Sequence, residues 1–172
     1  LGAKTTLVSG PTSLTRPTVE RVINVDSADQ MLEACESSLP ADIAVCAAAV
    51  ADYKIANKEI AKIKKDGSRQ NMILEENPDI LERLSKRNHL RPKLVVGFAA
   101  ETSNLERNSD EKLNKKGCDW VLGNNVSENS IFNQDTNKIY FTSKLYSENW
   151  ELMTKKEVAK KLCQKISLHL NN

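Results

Sequence analysis

Apolar and polar positions along this chain follow two rhythms in turn. Short β-type runs at residues 5–8, 19–25, 42–50, 93–99 and 119–123 are separated by stretches of helical period. Residues 42–50 and 93–99 are apolar on both faces, the pattern of central parallel strands covered on each side. Ser27 with Gln30 forms a capping-box signal ahead of Met31, Leu32, Cys35 and Leu39, and Pro40 stops that helix. Asn77-Pro78 reads as an N-cap with proline at the first helical position, predicting a helix to about Arg87. A third helix is expected over residues 104–116 with Gly117 as its stop, and a fourth from Thr154 and Glu157 to about Leu170. Residues 71–75 suggest a strand, and residues 137–142 with 144–150 a hairpin.

Strands alternating with helices predict a single α/β domain over residues 1–172. Its expected core is a doubly wound, mostly parallel, Rossmann-like sheet with helices on both faces and an antiparallel hairpin near the C-terminus. Gly2 before the first strand has the character of a helix C-cap. A strand and helix are therefore expected upstream of Leu1, making the domain truncated at its N-terminus.

The chain has 172 residues, 40% hydrophobic and 28% charged, with a formal net charge of +2. That is the composition of a folded domain, with no global pull toward nucleic acid. No apolar run reaches the roughly 18–20 residues of a membrane span, and no signal peptide is visible. Four cysteines without CxxC spacing and two histidines argue against a zinc site. Reduced thiols and a cytoplasmic location are the simplest expectation.

Chemistry is expected beyond the carboxyl ends of the parallel strands. Cys46, Ala47, Ala48 and Ala49 form a small-residue turn that would let a ligand approach the backbone, followed by Asp52. Asp52 suits a magnesium ion or a ribose hydroxyl, or is merely a cap. Lys62, Lys64 and Lys65 lie in a polar stretch, residues 51–70, that carries six lysines and arginines. Clustered lysines on such a loop suit a triphosphate, or are simply solvated. Lys112 and Lys116 are four apart on one helical face, and Phe98 is either core or a stacking platform for a base.

Together VSGP (8–11), AAVADY (48–53), KIKK (62–65), NPDIL (77–81), VVGFAAET (95–102), EKLNKKGCD (111–119) and GNNVS (123–127) resemble phosphopantothenate–cysteine ligase. The likeness is best to the ligase half of the bifunctional bacterial decarboxylase/ligase. The motifs cover nearly the whole chain in family order; the tail after Lys138 is generic.

The resemblance implies coupling of 4′-phosphopantothenate to L-cysteine with CTP and Mg2+ through an acyl-cytidylate, a step of coenzyme A biosynthesis. It places Cys46, Ala47, Ala48, Asp52, Lys62, Asn77, Pro78, Asp79, Ile80, Leu81, Phe98, Lys112 and Lys116 at the nucleotide, with Lys62 catalytic and Asp52 the metal candidate. It places Ala49, Lys64, Lys65 and Asn125 at the substrate. A homodimer is implied, and a flavin-dependent phosphopantothenoylcysteine decarboxylase fused to or acting with the chain. No FMN is expected here. Two features depart from the family. Asn125 stands where the family commonly has Asp, and the family's glycine-rich first loop and catalytic asparagine would precede Leu1. ATP in place of CTP, or a non-catalytic nucleotide-binding homologue, are the alternatives. A nicotinamide oxidoreductase is disfavoured, since no GxGxxG follows any strand. The hairpin, with Ile139, Phe141 and Leu145, is the expected dimer edge.

Overall fold

A computed structural model of the chain describes residues 2–57, 71–126 and 136–171. Its elements run β1 (Thr6–Ser9), β2 (Arg21–Asn24), α1 (Ala28–Ser37), β3 (Ile43–Cys46), β4 (Tyr53–Ile55), β5 (Leu74–Glu76), α2 (Ile80–Ser85), β6 (Leu94–Glu101), α3 (Leu105–Lys116), β7 (Trp120–Asn125), β8 (Thr136–Ser143), β9 (Ser147–Thr154) and α4 (Lys155–Leu170). The main sheet has the order β3-β6-β7-β8-β9. Its first three strands are parallel and its last two antiparallel. The expected α/β class, helices on both faces and C-terminal hairpin are therefore what the chain adopts.

Side-chain alternation along β6 and β7 sorts the core into two layers. Leu94, Val96, Trp120 and Leu122, with Ile139 and Phe141 of β8, pack under Val158, Leu162 and Ile166 of α4. Val95, Ala99 and Val121 point the other way, against Leu81 of α2 and Leu113 of α3. The reciprocal capping box at Thr154 and Glu157 fixes where α4 starts. Gly117, at φ 70, closes α3 in a conformation that costs glycine little.

Several expectations are corrected. β1 and β2 form a separate parallel pair, and β4 and β5 a separate antiparallel ribbon. β4 lies in the stretch read from sequence only as polar, because three residues with one lysine carry little periodic signal. The expected strand over 42–50 is regular only to Cys46, and the small residues after it leave the sheet. The cap of α2 is Asp79 rather than Asn77: Asp79 Oδ1 accepts from the Glu82 amide at 2.8 Å. Pro78 lies outside the helix, which ends at Ser85 instead of Arg87. The hairpin does lie at the edge of the main sheet, through β9. The apolar residues expected to mark that edge mostly do not: Ile139 and Phe141, on β8, are buried beneath α4, and of the three only Leu145, in the turn, is exposed.

Gly123 marks the closest approach of helix to sheet. A Cβ there would stand 2.2 Å from Ser109 Oγ and 2.9 Å from Leu105 Cδ1. That hydroxyl is fully buried and, among the described residues, has no hydrogen-bond partner. Ser109→Ala is thus expected to raise stability by about 1 kcal/mol, since it removes an unsatisfied polar atom at little change in volume. The urea midpoint should rise with an unchanged slope; a fall would show that the hydroxyl holds a partner.

Candidate functional site

Of the residues singled out by sequence, the carboxyl ends of β3 and β7 carry Cys46, Ala47, Ala48, Ala49 and Asn125. Cys46 ends β3 in register with Gly97, and Glu101 and Asn125 end β6 and β7 in register with each other. Ala47, Ala48 and Ala49 follow β3 as exposed, irregular backbone. Parallel strands that all point to one rim converge there, which is why residues far apart in sequence meet.

Asp52 is exposed in the turn between β3 and β4. Among the described residues its carboxylate has no hydrogen-bond or ion-pair partner. Its carbonyl accepts from the Asn77 amide at 2.8 Å, and Asn77 Nδ2 donates to the Ala51 carbonyl at 2.9 Å. Asn77 therefore ties the turn down instead of capping a helix.

Lys112 and Lys116, one turn apart on α3, are both engaged by protein groups. Lys112 Nζ donates to the Phe98 carbonyl at 2.7 Å. Lys116 Nζ lies 2.5 Å from Asp79 Oδ2 and 3.5 Å from Glu82 Oε2. Burial pulls the Asp79 carboxyl upward, but the Lys116 ammonium, the Glu82 amide and Lys112 outweigh it and leave its pKa below the usual carboxylate value. The Lys116 pKa is raised, chiefly by that same hydrogen bond. The pair stays charged at neutral pH. Its contribution is lost as pH falls through the lowered Asp79 value and, at the alkaline end, as pH rises through the raised Lys116 value.

Phe98 is half-buried and packs against the layer of Leu94, Val96 and Leu122, so its ring is in part a core group. Ile80 and Leu81 are buried, and Leu81 lies against β6: a Cβ on Gly97 would stand 2.6 Å from its Cδ2. What these two residues can offer a ligand is therefore main chain. Cys46 is a poor nucleophile. Burial first, then Cys35, Cys118 and Asp79, push its thiol up to about 12 against the opposing effect of Lys112. Lys62, Lys64 and Lys65 lie outside the described residues.

Glu101 was not singled out by sequence, yet it sits on the same rim and accepts from Asn108 Nδ2 at 2.7 Å. An acidic residue ending a long apolar strand is the signal that marks it. Among the described residues no group of three or more His, Cys, Asp and Glu could enclose a metal ion. One exposed carboxylate does suit Mg2+, which keeps waters and takes its other ligands from substrate phosphates.

A sequence profile described as the DNA/pantothenate metabolism flavoprotein C-terminal domain matches residues 1–169. The coenzyme A biosynthesis bifunctional protein CoaBC of Haemophilus influenzae is 38% identical over 166 residues, 96% of this chain and 41% of its own length. The protein of the same name from Borreliella burgdorferi is 36% identical, covering 94% of this chain and 41% of that protein. The chain thus spans about two fifths of these curated relatives. A crystal structure of the C-terminal domain of a CoaBC protein superposes with a TM-score of 0.78 at 31% identity, covering 99% of this chain and 76% of the other.

Proposed function

Because this chain belongs to the DNA/pantothenate metabolism flavoprotein C-terminal domain family, we propose that it joins 4′-phosphopantothenate to L-cysteine, using CTP, as a step of coenzyme A biosynthesis. The observation that carries this reading is the rim itself. The Cys46–Ala49 turn and the exposed Asp52 follow the carboxyl end of β3, and Lys112 of α3 reaches the Phe98 carbonyl on the neighbouring β6, in a domain whose curated relatives are named for coenzyme A biosynthesis.

The chemistry makes sense of the charges. A carboxylate attacking a triphosphate brings negative charges together, and cations must offset them most strongly in the transition state. Lys112 and Lys116 would supply two such cations, and Lys62, Lys64 and Lys65 would add more. Lys62 would act on the triphosphate as the acyl-cytidylate forms and pyrophosphate leaves. Mg2+, held by Asp52, would neutralise phosphate charge. The backbone of Asn77, Pro78, Asp79, Ile80 and Leu81, with Phe98, would form the base pocket, and Ala49 and Asn125 would face the substrate. Cysteine then attacks the mixed anhydride through its amine, and CMP leaves.

Assembly belongs to the same reading. Two copies would pair through the β9 edge of the C-terminal hairpin or through the β4–β5 ribbon. Tyr53, Met72, Ile73 and Leu74 are each more than half exposed there. An apolar, two-stranded ribbon off the main sheet is a surface that a second chain can cover. A flavin-dependent decarboxylase is the expected partner, since the relatives are named bifunctional. Among the described residues no helix is long and apolar enough to cross a membrane, and the proposed location is cytoplasmic.

The decisive experiment is pyrophosphate release in the natural full-length polypeptide. Release should require CTP and 4′-phosphopantothenate together, and phosphopantothenoylcysteine should accumulate when cysteine is added. CTP should also raise the unfolding midpoint more than equal ATP, GTP or UTP. Equal shifts by CTP and ATP would remove base selectivity from the proposal, and nucleotide binding without pyrophosphate release would point to a non-catalytic homologue.

A further inference from the structure

Asn77 makes contacts that a nucleotide-reading side chain would not need. Its main-chain N–H donates to the Asp52 carbonyl at 2.8 Å, and its side-chain Nδ2 donates to the preceding carbonyl, that of Ala51, at 2.9 Å. Two successive carbonyls of one turn are thus held by two donors of one residue. The main-chain bond extends the ribbon by one step, since Tyr53 and Glu76 are partners at its end and Asp52 and Asn77 come next. Pro78 favours this arrangement. It disfavours helical backbone at the residue before it and so leaves Asn77 extended.

The other side of the segment is anchored independently. Asp79 begins α2 through the Glu82 amide and holds Lys116 with its second oxygen, and Leu81 is pressed against β6 at Gly97. Asn77 therefore sits between a fixed base and the exposed Asp52 turn. A free Asp52 carboxylate on a loose turn would sample many directions. A metal held mainly by one carboxylate loses affinity when that carboxylate must be ordered on binding.

We propose that Asn77 is a positioning residue: it acts through Asp52, fixing the turn that presents this carboxylate to a magnesium-bound nucleotide, and its side chain does not touch the nucleotide. The inference rests on the nucleotide reading of the site given above. Asp79 belongs to the same device, since it ties the opposite end of the segment to the lysine-bearing face of α3.

A double-mutant cycle on nucleotide affinity tests it. Titrations of CTP, with and without Mg2+, would be made on wild type, Asn77→Ala, Asp52→Ala and the double variant. Asn77→Ala removes only the Nδ2 bond, and exposed Ala51 backbone can hydrate, so the fold should survive; an unfolding midpoint within a few degrees of wild type checks this. In the presence of Mg2+, Asn77→Ala should weaken CTP about tenfold, the lower end of what loss of a ligand-orienting partner costs a metal site. Without Mg2+ it should change little, and in the Asp52→Ala background it should have no further effect. A purely structural role would move the midpoint and not produce this dependence on both Mg2+ and Asp52. Additive losses in the double variant, or an equal loss with and without Mg2+, would show that Asn77 meets the nucleotide itself and would overturn the proposal. So would unchanged affinity in Asn77→Ala. Failure of wild type to bind CTP at all would instead overturn the nucleotide reading on which the proposal stands.

Discussion

Arg91→Met is expected to lower the stability of this chain by about 3 kcal/mol, in the range for breaking a partly buried, hydrogen-bonded charge pair. The guanidinium donates to the Ser85 carbonyl at 2.7 Å, the Pro92 carbonyl at 2.9 Å and the Gly117 carbonyl at 3.3 Å. It also meets both oxygens of Asp119, at 3.0 and 2.9 Å. Asp119 Oδ2 in turn accepts from the Val95 amide at 2.7 Å. One side chain thus joins the end of α2, the C-cap of α3 and the starts of β6 and β7. Both side chains are about a quarter exposed, so solvent replaces the lost bonds only in part. At roughly 2–4 °C per kcal/mol for a chain of this size, the unfolding midpoint should fall by about 6–12 °C. Arg91→Lys should recover less than half of this, because one ammonium nitrogen cannot replace Nε, Nη1 and Nη2, which reach the Ser85 carbonyl, the Pro92 carbonyl and Asp119 separately. A loss below about 1 kcal/mol in Arg91→Met would mean that these bonds are readily replaced by water.

The second large effect is catalytic. In the full-length polypeptide, Lys62→Gln is expected to slow acyl-cytidylate formation by about 10²–10³-fold, the cost of losing one group that stabilises charge in a transition state. CTP affinity should change far less, because the proposed role of this ammonium is greatest as charge shifts toward the leaving pyrophosphate. Lys112→Met should behave differently. Lys112 is held against the Phe98 carbonyl before any ligand arrives, and a cation fixed in advance stabilises ground state and transition state more evenly. Its loss should therefore appear mainly in CTP affinity. Weakened CTP binding with an unchanged rate at saturation in Lys62→Gln would reassign that lysine to ground-state phosphate binding.

Much of this was legible in the chain because it is short-range. Thr154 with Glu157 marks the start of α4, since the two side chains satisfy each other's amides within one turn. Gly117 marks the end of α3, since the stop needs a positive φ. Lys112 and Lys116 lie on one face of α3 by helical spacing alone. AAVADY, VVGFAAET and GNNVS stand at or just after the ends of β3, β6 and β7, where a parallel sheet places them.

What could not be read was always a choice between partners. Asn77 and Asp79 are both good caps, and sequence favoured Asn77. Asp79 prevails because Lys116, from another helix, completes its second oxygen, while Asn77 is drawn to the carbonyls of a distant turn. Ile139, Phe141 and Leu145 share an alternating pattern, yet α4 covers the first two and leaves the third in the turn. β4 becomes a strand because β5 supplies its hydrogen bonds. The sequence by itself determined the fold class, the N-caps of α1 and α4 and the C-cap of α3. Those follow from periodicity and from bonds closed within a turn. Only the tertiary structure decided which strands pair, which apolar face is covered and which of two similar side chains holds which partner. Each of those is settled by groups distant in sequence that meet only once the chain has folded.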